Sequence, residues 1–281
     1  MNHFVDNKLY QIKRNLHYLN PQTRPKKILF DHIPKCAGSS FHQYLTPFYP
    51  QRKIFTVDGA NPQESLSAFK SLSQNQRHKF SLVKGHFAHE LIDYASPEAI
   101  LITILRDPYT RVCSLYHFIN KSPRHRMHQL VFGGGMSLTE FALSGLPEAT
   151  NWTTSHFSGL DSANTIENPE EAYTKALLSL KKYHVVGTLS DLSLFSKNLA
   201  ISANLRYPFD GRIANQASTR QTLSEQEITS ITETNDLDIR LYREITKLID
   251  SGIFAIENSI ASASFSQLPQ LNPLATRNSL K

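Results

Sequence analysis

The sequence predicts an α/β fold: a single domain with a central, mainly parallel sheet flanked by helices. Residues 28–45 begin with apolar residues of strand type, pass through a tight loop and continue with apolar residues at helical spacing. Residues 99–105 form a continuous, β-branched apolar run that is typical of a strand buried on both faces. Helix and strand patterns alternate again over 168–187, which favours parallel strands joined by helices.

The length and composition of the chain fit one domain. It has 281 residues, of which 40% are hydrophobic and 10% aromatic, so it has ample material for a core. No internal repeat or Gly/Ser-rich linker divides it. We therefore expect a domain over 28–256, preceded by a polar, basic N-terminal extension over 1–27 and followed by a poorly ordered tail over 257–281.

Charge and cysteine content restrict the partners and the compartment. The formal net charge of +6 favours anionic ligands, but the basic residues are scattered, so a nucleic acid polymer is not an expected partner. Two cysteines cannot build a disulfide framework, and no run approaches the roughly 20 apolar residues that cross a bilayer. We therefore expect a cytoplasmic protein without a transmembrane segment. Peripheral attachment to the inner membrane surface is the alternative.

The loop after the first strand has the composition of an anion-binding site. Its residues are Pro34, Lys35, Cys36, Ala37, Gly38, Ser39 and Ser40. The small side chains at 37–40 allow several backbone N–H groups to point at one anion at the positive end of the following helix, and a phosphate group fits there. Lys35 comes first in this loop, whereas a Walker A motif places its lysine after a second glycine. ATP and GTP are therefore disfavoured as ligands.

A Gly-His pair follows the next convincing strand. Residues 80–83 form a short apolar run that leads into Gly85 and His86. Loops that follow the carboxyl ends of parallel strands converge on the ligand site of an α/β sheet. His86 is therefore the candidate general base, because a neutral imidazole accepts a proton at physiological pH. His89 is the nearest alternative base.

The strand over 99–105 is expected at the centre of the sheet. After Arg106 in the chain, Asp107 is suited to be the N-cap and Pro108 the first residue of a helix that continues to about residue 121. The spacing assigns an apolar face to Tyr109, Val112, Cys113, Tyr116 and Ile119, and another face to Thr110, Ser114 and His117.

Caps and periodicity predict the remaining elements. We expect helices around 8–19, 63–72, 137–143, 168–182 and 192–205, and strands at 53–57 and 183–187. Ser224 and Glu227 form a capping box for one long helix that includes Asp238. The segment 120–135 is basic, His-rich and ends in three glycines, which predicts a mobile lid or an acceptor-binding loop, with a merely solvated loop as the alternative. Its candidate contacts to an anionic sugar are Lys121, Arg124, His125, Arg126 and His128.

The motifs PKCAGSS, GH and LRDPYTRVCSLYHF, in this order, resemble the carbohydrate sulfotransferases that use 3′-phosphoadenosine 5′-phosphosulfate (PAPS). In that family the loop usually reads Pro-Lys-Thr-Gly/Ala-Gly/Ser-Thr/Ser-Ser/Thr, and Cys36 stands where threonine is common. The segment 151–159 resembles another family element with Ser155 in place of an arginine, so core packing by Trp152 and Phe157 is its expected role. The resemblance covers about 27–249 and implies a fold related to P-loop kinases. The N-terminus lacks the apolar anchor that Golgi members carry, so we expect a bacterial-type soluble enzyme to be the better analogy.

The resemblance implies a set of nucleotide contacts. Lys35 and the backbone of 37–40 would hold the 5′-phosphate, and Arg106 with Ser114 the 3′-phosphate. Arg111 also matches the pattern and is expected to brace the loop, and Arg212 or Arg220 is expected to approach the 3′-phosphate. The complete predicted nucleotide-binding set is Lys35, Cys36, Ala37, Gly38, Ser39, Ser40, Arg106 and Ser114, and no metal is expected.

The implied function is the in-line transfer of a sulfuryl group from PAPS to a hydroxyl of a carbohydrate or glycoconjugate. His86 and Lys35 are the implied catalytic residues: His86 as the base, and Lys35 as the cation that stabilises charge on the departing adenosine 3′,5′-bisphosphate. A nucleotide-dependent kinase is an alternative, because the same loop geometry serves phosphoryl transfer. A non-catalytic protein that binds nucleotides or polyanions is a second alternative.

Overall fold

The computed structural model describes residues 18, 20–211 and 222–254 of the chain. They contain a five-stranded sheet in the order β2-β3-β1-β4-β5, in which every neighbouring pair is parallel. The strands are β1 (Ile28–Asp31), β2 (Ile54–Val57), β3 (Leu82–Gly85), β4 (Ile100–Leu105) and β5 (Val185–Thr188). The predicted single α/β domain is confirmed. Most of the helix expected around 8–19 lies outside the described residues, as do Arg212 and Arg220.

Helices flank the sheet. The α-helices are α1 (Gly38–Leu45), α2 (Pro62–Ser71), α3 (Gln74–Arg77), α4 (Pro108–Asn120), α5 (His128–Val131), α6 (Leu138–Leu143), α7 (Trp152–Ser158), α8 (Ser162–Glu167), α9 (Pro169–Leu180), α10 (Leu192–Ser202), α11 (Glu225–Thr234) and α12 (Asp236–Asp250). Short 3₁₀ helices cover Thr46–Phe48, Gln51–Lys53, Ala88–Tyr94 and Leu189–Asp191. None of the helices described here has both the length and the apolar character needed to span a bilayer.

Strand β1 lies in the middle of the sheet. Ile28 pairs with Leu82 of β3 on one side and with Ile100 of β4 on the other, so the prediction that the first strand and the 99–105 strand are parallel neighbours is confirmed. All residues of β1 and β4 are buried, as their apolar runs indicate. The loops after β1, β3 and β4 therefore leave the same edge of the sheet side by side.

Two apolar clusters form the core. The larger one surrounds the sheet and includes Tyr18, whose side chain packs against the domain. The second lies under α4, α6 and α11, where the predicted apolar face of α4 packs. Met127 and Val131 belong to this second cluster, so the basic segment 120–135 is anchored there through apolar side chains.

The N-termini of α7 and α12 cap each other. The Asp238 carboxylate accepts hydrogen bonds from the N–H groups of Thr153 (3.0 Å) and Thr154 (2.7 Å) and from the Thr154 hydroxyl (2.8 Å). In return, the side-chain oxygen of Asn151 accepts the N–H groups of Leu237 and Asp238. These bonds satisfy donors that a helix cannot pair internally, and they put a carboxylate at the positive end of α7. Segment 151–159 thus joins two helices, a role beyond the predicted packing.

The single long helix expected after Ser224 is two helices in the structure. The capping box that begins α11 is present, but the helix stops and α12 begins after Asn235, which is fully buried. The Asn235 side chain donates to the carbonyl of Ala149 at 2.7 Å and accepts the N–H of Asn151 at 3.2 Å. These long-range hydrogen bonds hold Asn235 outside helical geometry.

We expect Asp238→Ala to lower the free energy of unfolding by about 3–5 kcal/mol. It removes the acceptor of two helix N–H groups and leaves the Arg111 guanidinium, 3.7 Å away, without its buried counter-charge. Urea denaturation followed by circular dichroism measures the change. Asp250→Ala, at the exposed end of α12, is the control and should alter stability by less than about 0.5 kcal/mol. Equal effects of both substitutions would contradict the capping role.

Candidate functional site

A cavity of about 480 Å³, the main cavity, lies at the carboxyl ends of β1, β3 and β4. Its wall is formed by the β1–α1 loop (34–37), by the first turn of α1, by His86 and by one side of α4. The predicted site residues that line it are Lys35, Ala37, Gly38, Ser39, Ser40, His86, Arg106 and Ser114. The fold therefore brings together, around one cavity, groups that are up to 79 positions apart in the chain.

Cys36 is the member of the predicted set that does not line the main cavity. Its thiol is buried in the core and 1% exposed, and burial raises the pKa of the thiol to about 12. Its N–H donates to the carbonyl of Ile33 at 3.3 Å, so this group is occupied within the turn. The Cys36 side chain thus anchors the loop in the core, and neither this side chain nor the Cys36 N–H is available to a ligand.

The β1–α1 loop has the backbone geometry of an anion cradle. Lys35 (φ 68°) and Ala37 (φ 60°) both lie in the left-handed region, which costs a residue with a side chain about 1–3 kcal/mol. In the described part of the chain, the N–H groups of Ala37, Gly38 and Ser39 have no backbone acceptor. These donors stand together at the positive end of α1, where an anion satisfies them.

Lys35 and Arg106 form the cationic side of the cradle. The Lys35 ammonium lies 3.9 Å from the ring centroid of Phe118, and burial, followed by the nearby Arg106 charge, lowers the Lys35 pKa to about 8. Arg106 donates to the Lys35 carbonyl at 3.0 Å and to the Thr110 hydroxyl at 3.1 Å. In the structure Arg106 therefore braces the loop, which is the role expected for Arg111.

Arg111 is a buried cation in the wall of the main cavity. It is 1% exposed, donates to the Glu148 carbonyl at 3.3 Å and lies 3.7 Å from the Asp238 carboxylate. Among the described residues its Nε and one terminal nitrogen, Nη2, have no hydrogen-bond partner. The ion pair between Nη2 and Asp238 and the hydrogen bond to Glu148 hold the guanidinium in place, and its positive charge favours an anion in the main cavity.

A hydrogen bond to the backbone of His32 fixes the tautomer of His86. Its Nδ1 lies 2.8 Å from the carbonyl oxygen of His32, and only a protonated nitrogen can donate to a carbonyl. The other nitrogen, Nε2, is therefore the unprotonated one, and burial lowers the pKa of the ring, which keeps it neutral at pH 7. Gly85 permits this arrangement, because its φ is 140° and a side chain there would lie 2.7 Å from the Val57 carbonyl.

His89, the alternative base, lies elsewhere. It lines a second cavity of about 360 Å³ with His156, and it is absent from the wall of the main cavity. The ligand atoms of His89, His156 and Asp31 lie within 4.8 Å of one another, which makes them a candidate cation site in the described structure. The Asp31 oxygens, however, already accept hydrogen bonds from His156 (2.8 Å), the Tyr183 hydroxyl (3.0 Å) and the N–H of His89 (3.3 Å). The cluster therefore works as a hydrogen-bonded junction.

Three residues that line the main cavity, His32, Phe118 and Trp152, were not predicted as site residues. His125 and Arg126, which also line it, come from the basic segment 120–135 that was expected to be a lid or an acceptor-binding loop. Arg126 forms an ion pair with Glu148, a carboxylate of the same wall. The sequence could have indicated His32 as a site residue, since it lies between the first strand and the loop. No sequence pattern indicated Phe118 or Trp152.

Comparison with known proteins agrees with this geometry. The model of a family described as the sulfotransferase family matches residues 22–243, which include the β1–α1 loop, His86 and α4. A search of curated proteins finds no match. Since the family match spans most of the sequence, the chain belongs to the sulfotransferase family.

Proposed function

We propose that the protein transfers a sulfuryl group from PAPS to a hydroxyl of a carbohydrate or glycoconjugate. The observation that carries this proposal is the orientation of His86, whose Nδ1 donates to the His32 carbonyl while its ring lines the same cavity as the β1–α1 loop. A neutral base with a free nitrogen thus shares one cavity with an anion cradle. That combination suits the transfer of an anionic group to a hydroxyl.

The donors around the main cavity fit adenosine 3′,5′-bisphosphate, the nucleotide part of PAPS. The N–H groups of 37–39 and the Lys35 ammonium suit the 5′-phosphate. Arg106 and Ser114, with the positive charge of Arg111 in the same wall, suit the 3′-phosphate. The volume of about 480 Å³ lies within the usual range of ligand pockets, about 300–1,000 Å³.

In the proposed reaction the acceptor oxygen forms a bond to sulfur while the bond from sulfur to the 5′-phosphate oxygen breaks. The acceptor proton moves to Nε2 of His86, and the electron pair of the broken bond stays on the phosphate of the bisphosphate. Lys35 stabilises that charge, since a pKa of about 8 leaves its ammonium mostly protonated at pH 7. The sulfuryl group already carries negative charge, so positioning, a base and a cation suffice.

The acceptor class and the compartment are further parts of the proposal. The resemblance to the carbohydrate sulfotransferases favours a carbohydrate acceptor, and His125 and Arg126 in the wall of the main cavity offer polar contacts to it. The two cysteines are free thiols, one buried and one partly buried, which favours the cytoplasm.

We expect His86→Ala to reduce sulfuryl transfer by roughly 10²–10⁴-fold, the usual contribution of a general base, while the affinity for adenosine 3′,5′-bisphosphate is retained. Transfer of ³⁵S from PAPS to a panel of p-nitrophenyl glycosides measures the rate, and calorimetry measures the affinity. His89→Ala is the matched control, because it keeps the N–H that binds Asp31 and removes an imidazole outside the main cavity. Normal turnover of His86→Ala would reject His86 as the base.

We expect Arg106→Ala to weaken bisphosphate binding by roughly 1.5–3 kcal/mol, the value of charge-assisted contacts to a phosphate. Binding of adenosine 5′-monophosphate, which has no 3′-phosphate, should be unchanged. Arg52→Ala, at an exposed position distant from the site, is the control for general charge effects. If both nucleotides lost equal affinity, Arg106 would act only through the Lys35 carbonyl that it braces.

A further inference from the structure

The imidazole of His32 occupies the space that a side chain at position 38 would fill. His32 follows β1, and a Cβ atom built on Gly38 would lie 1.6 Å from Nε2 of the His32 ring. No side chain fits at that distance, so the ring can stay in place only while residue 38 is glycine. Gly38 is also the first residue of α1 and part of the anion cradle. The His32 ring therefore lies directly against the first residue of the cradle helix, and it also lines the main cavity.

The ring of His86 packs against the same His32 ring. The two imidazoles stack with their centroids 4.1 Å apart and an interplanar angle of 24°, and the backbone carbonyl of His32 accepts the Nδ1 proton of His86. His42 of α1 contacts the His32 ring edge-on at 4.9 Å, and Phe30 of β1 lies at 5.9 Å. His32 is thus enclosed by β1, α1 and the loop that carries His86.

His32 is suited to this place because it stays uncharged. Burial, with smaller contributions from His86 and His42, lowers the pKa of His32 to about 2. A neutral ring does not compete for the proton that His86 accepts, and it does not repel the imidazolium that His86 becomes. It presents a flat, polarizable face to that cation.

We propose that His32 is a positioning residue for sulfuryl transfer, whose imidazole is wedged between Gly38 and the ring of His86 and fixes the base relative to the anion cradle. This inference rests on the proposed function of His86. It assigns Gly38 a second role beside its N–H, which is to leave room for the wedge. Loss of the wedge should misplace the base and admit water to it, with little direct effect on the nucleotide.

The first test is the protonation of His86, which needs no turnover. The titratable groups that face His86 are His32, His42, Asp31 and His156. Because burial is the main cause that lowers the His86 pKa, His32→Ala should hydrate the ring and raise this pKa toward 6.5. NMR titration of the full chain labelled at its 12 histidines, with His86→Gln to assign the signal, measures it. An unchanged His86 pKa in His32→Ala would overturn the proposal.

Kinetics separate positioning from folding. His32→Ala should lower kcat by roughly 10–100-fold, as misplaced groups do, while the Kd for adenosine 3′,5′-bisphosphate changes by less than about threefold. The acid limb of the kcat/KM profile should move to higher pH with the His86 pKa. A loss of nucleotide affinity equal to the loss of kcat would reduce His32 to a structural residue and contradict the proposal.

A double-mutant cycle tests the wedge itself. Gly38→Ala alone should displace the ring and raise the His86 pKa as His32→Ala does. In the His32→Ala background the new methyl group has space, so Gly38→Ala should cost little more there, and the two changes should be strongly non-additive. If Gly38→Ala does not fold while the double variant does, the wedge is supported, and additive losses would overturn it.

Failure of the proposed function can be told apart from failure of this inference. A wild-type protein without sulfuryl transfer would refute the proposed function, whereas the NMR titration and the double-mutant cycle would still decide the contact between His32, Gly38 and His86.

Discussion

The Asp31 carboxylate at the carboxyl end of β1 has no exposure to solvent and accepts hydrogen bonds from His156 of α7, from Tyr183 just before β5 and from the N–H of His89 after β3. Burial alone raises the pKa of such a group, but the neighbouring His156 and His89 outweigh it and hold the pKa of Asp31 well below its usual range. A buried carboxylate with several donors is costly to disturb, because each unpaired donor adds a penalty. Asp31 therefore connects segments around both cavities to the central strand. The next residue, His32, already lines the main cavity.

The main cavity has two chemically different sides. One consists of the uncharged imidazoles of His32 and His86, and burial lowers the pKa of His32 to about 2 and that of His86 below its usual value. The other carries Lys35 and the arginines at 106, 111 and 126, of which Arg111 is 1% exposed. Burial keeps the histidines neutral, while arginine stays charged in the same surroundings because its pKa is far above 7. Such a division suits a reaction in which a neutral hydroxyl meets an anionic donor.

The parts of this arrangement that could be predicted are local in sequence. The strands β1 and β4, the loop at 34–37 and the Gly-His pair can be read from runs of adjacent residues. The other parts depend on partners far away in the chain. Asn235 divides the last helices because it binds Ala149, 86 positions away, and Asp31 binds His156 and Tyr183 at separations of 125 and 152 residues. The orientation of Cys36 toward the core follows from the left-handed residues on either side of it, which composition does not reveal.

We propose above all that the cradle and the cations around it bind a nucleotide with phosphates at the 3′ and 5′ positions. Calorimetry of the full chain with adenosine 3′,5′-bisphosphate and with ATP, each in EDTA and in Mg²⁺, tests this directly. We expect one bound bisphosphate per chain without a metal, and an affinity for ATP that is at least ~10-fold weaker, a difference of about 1.4 kcal/mol. Tight binding of ATP with Mg²⁺ and no binding of the bisphosphate would contradict it.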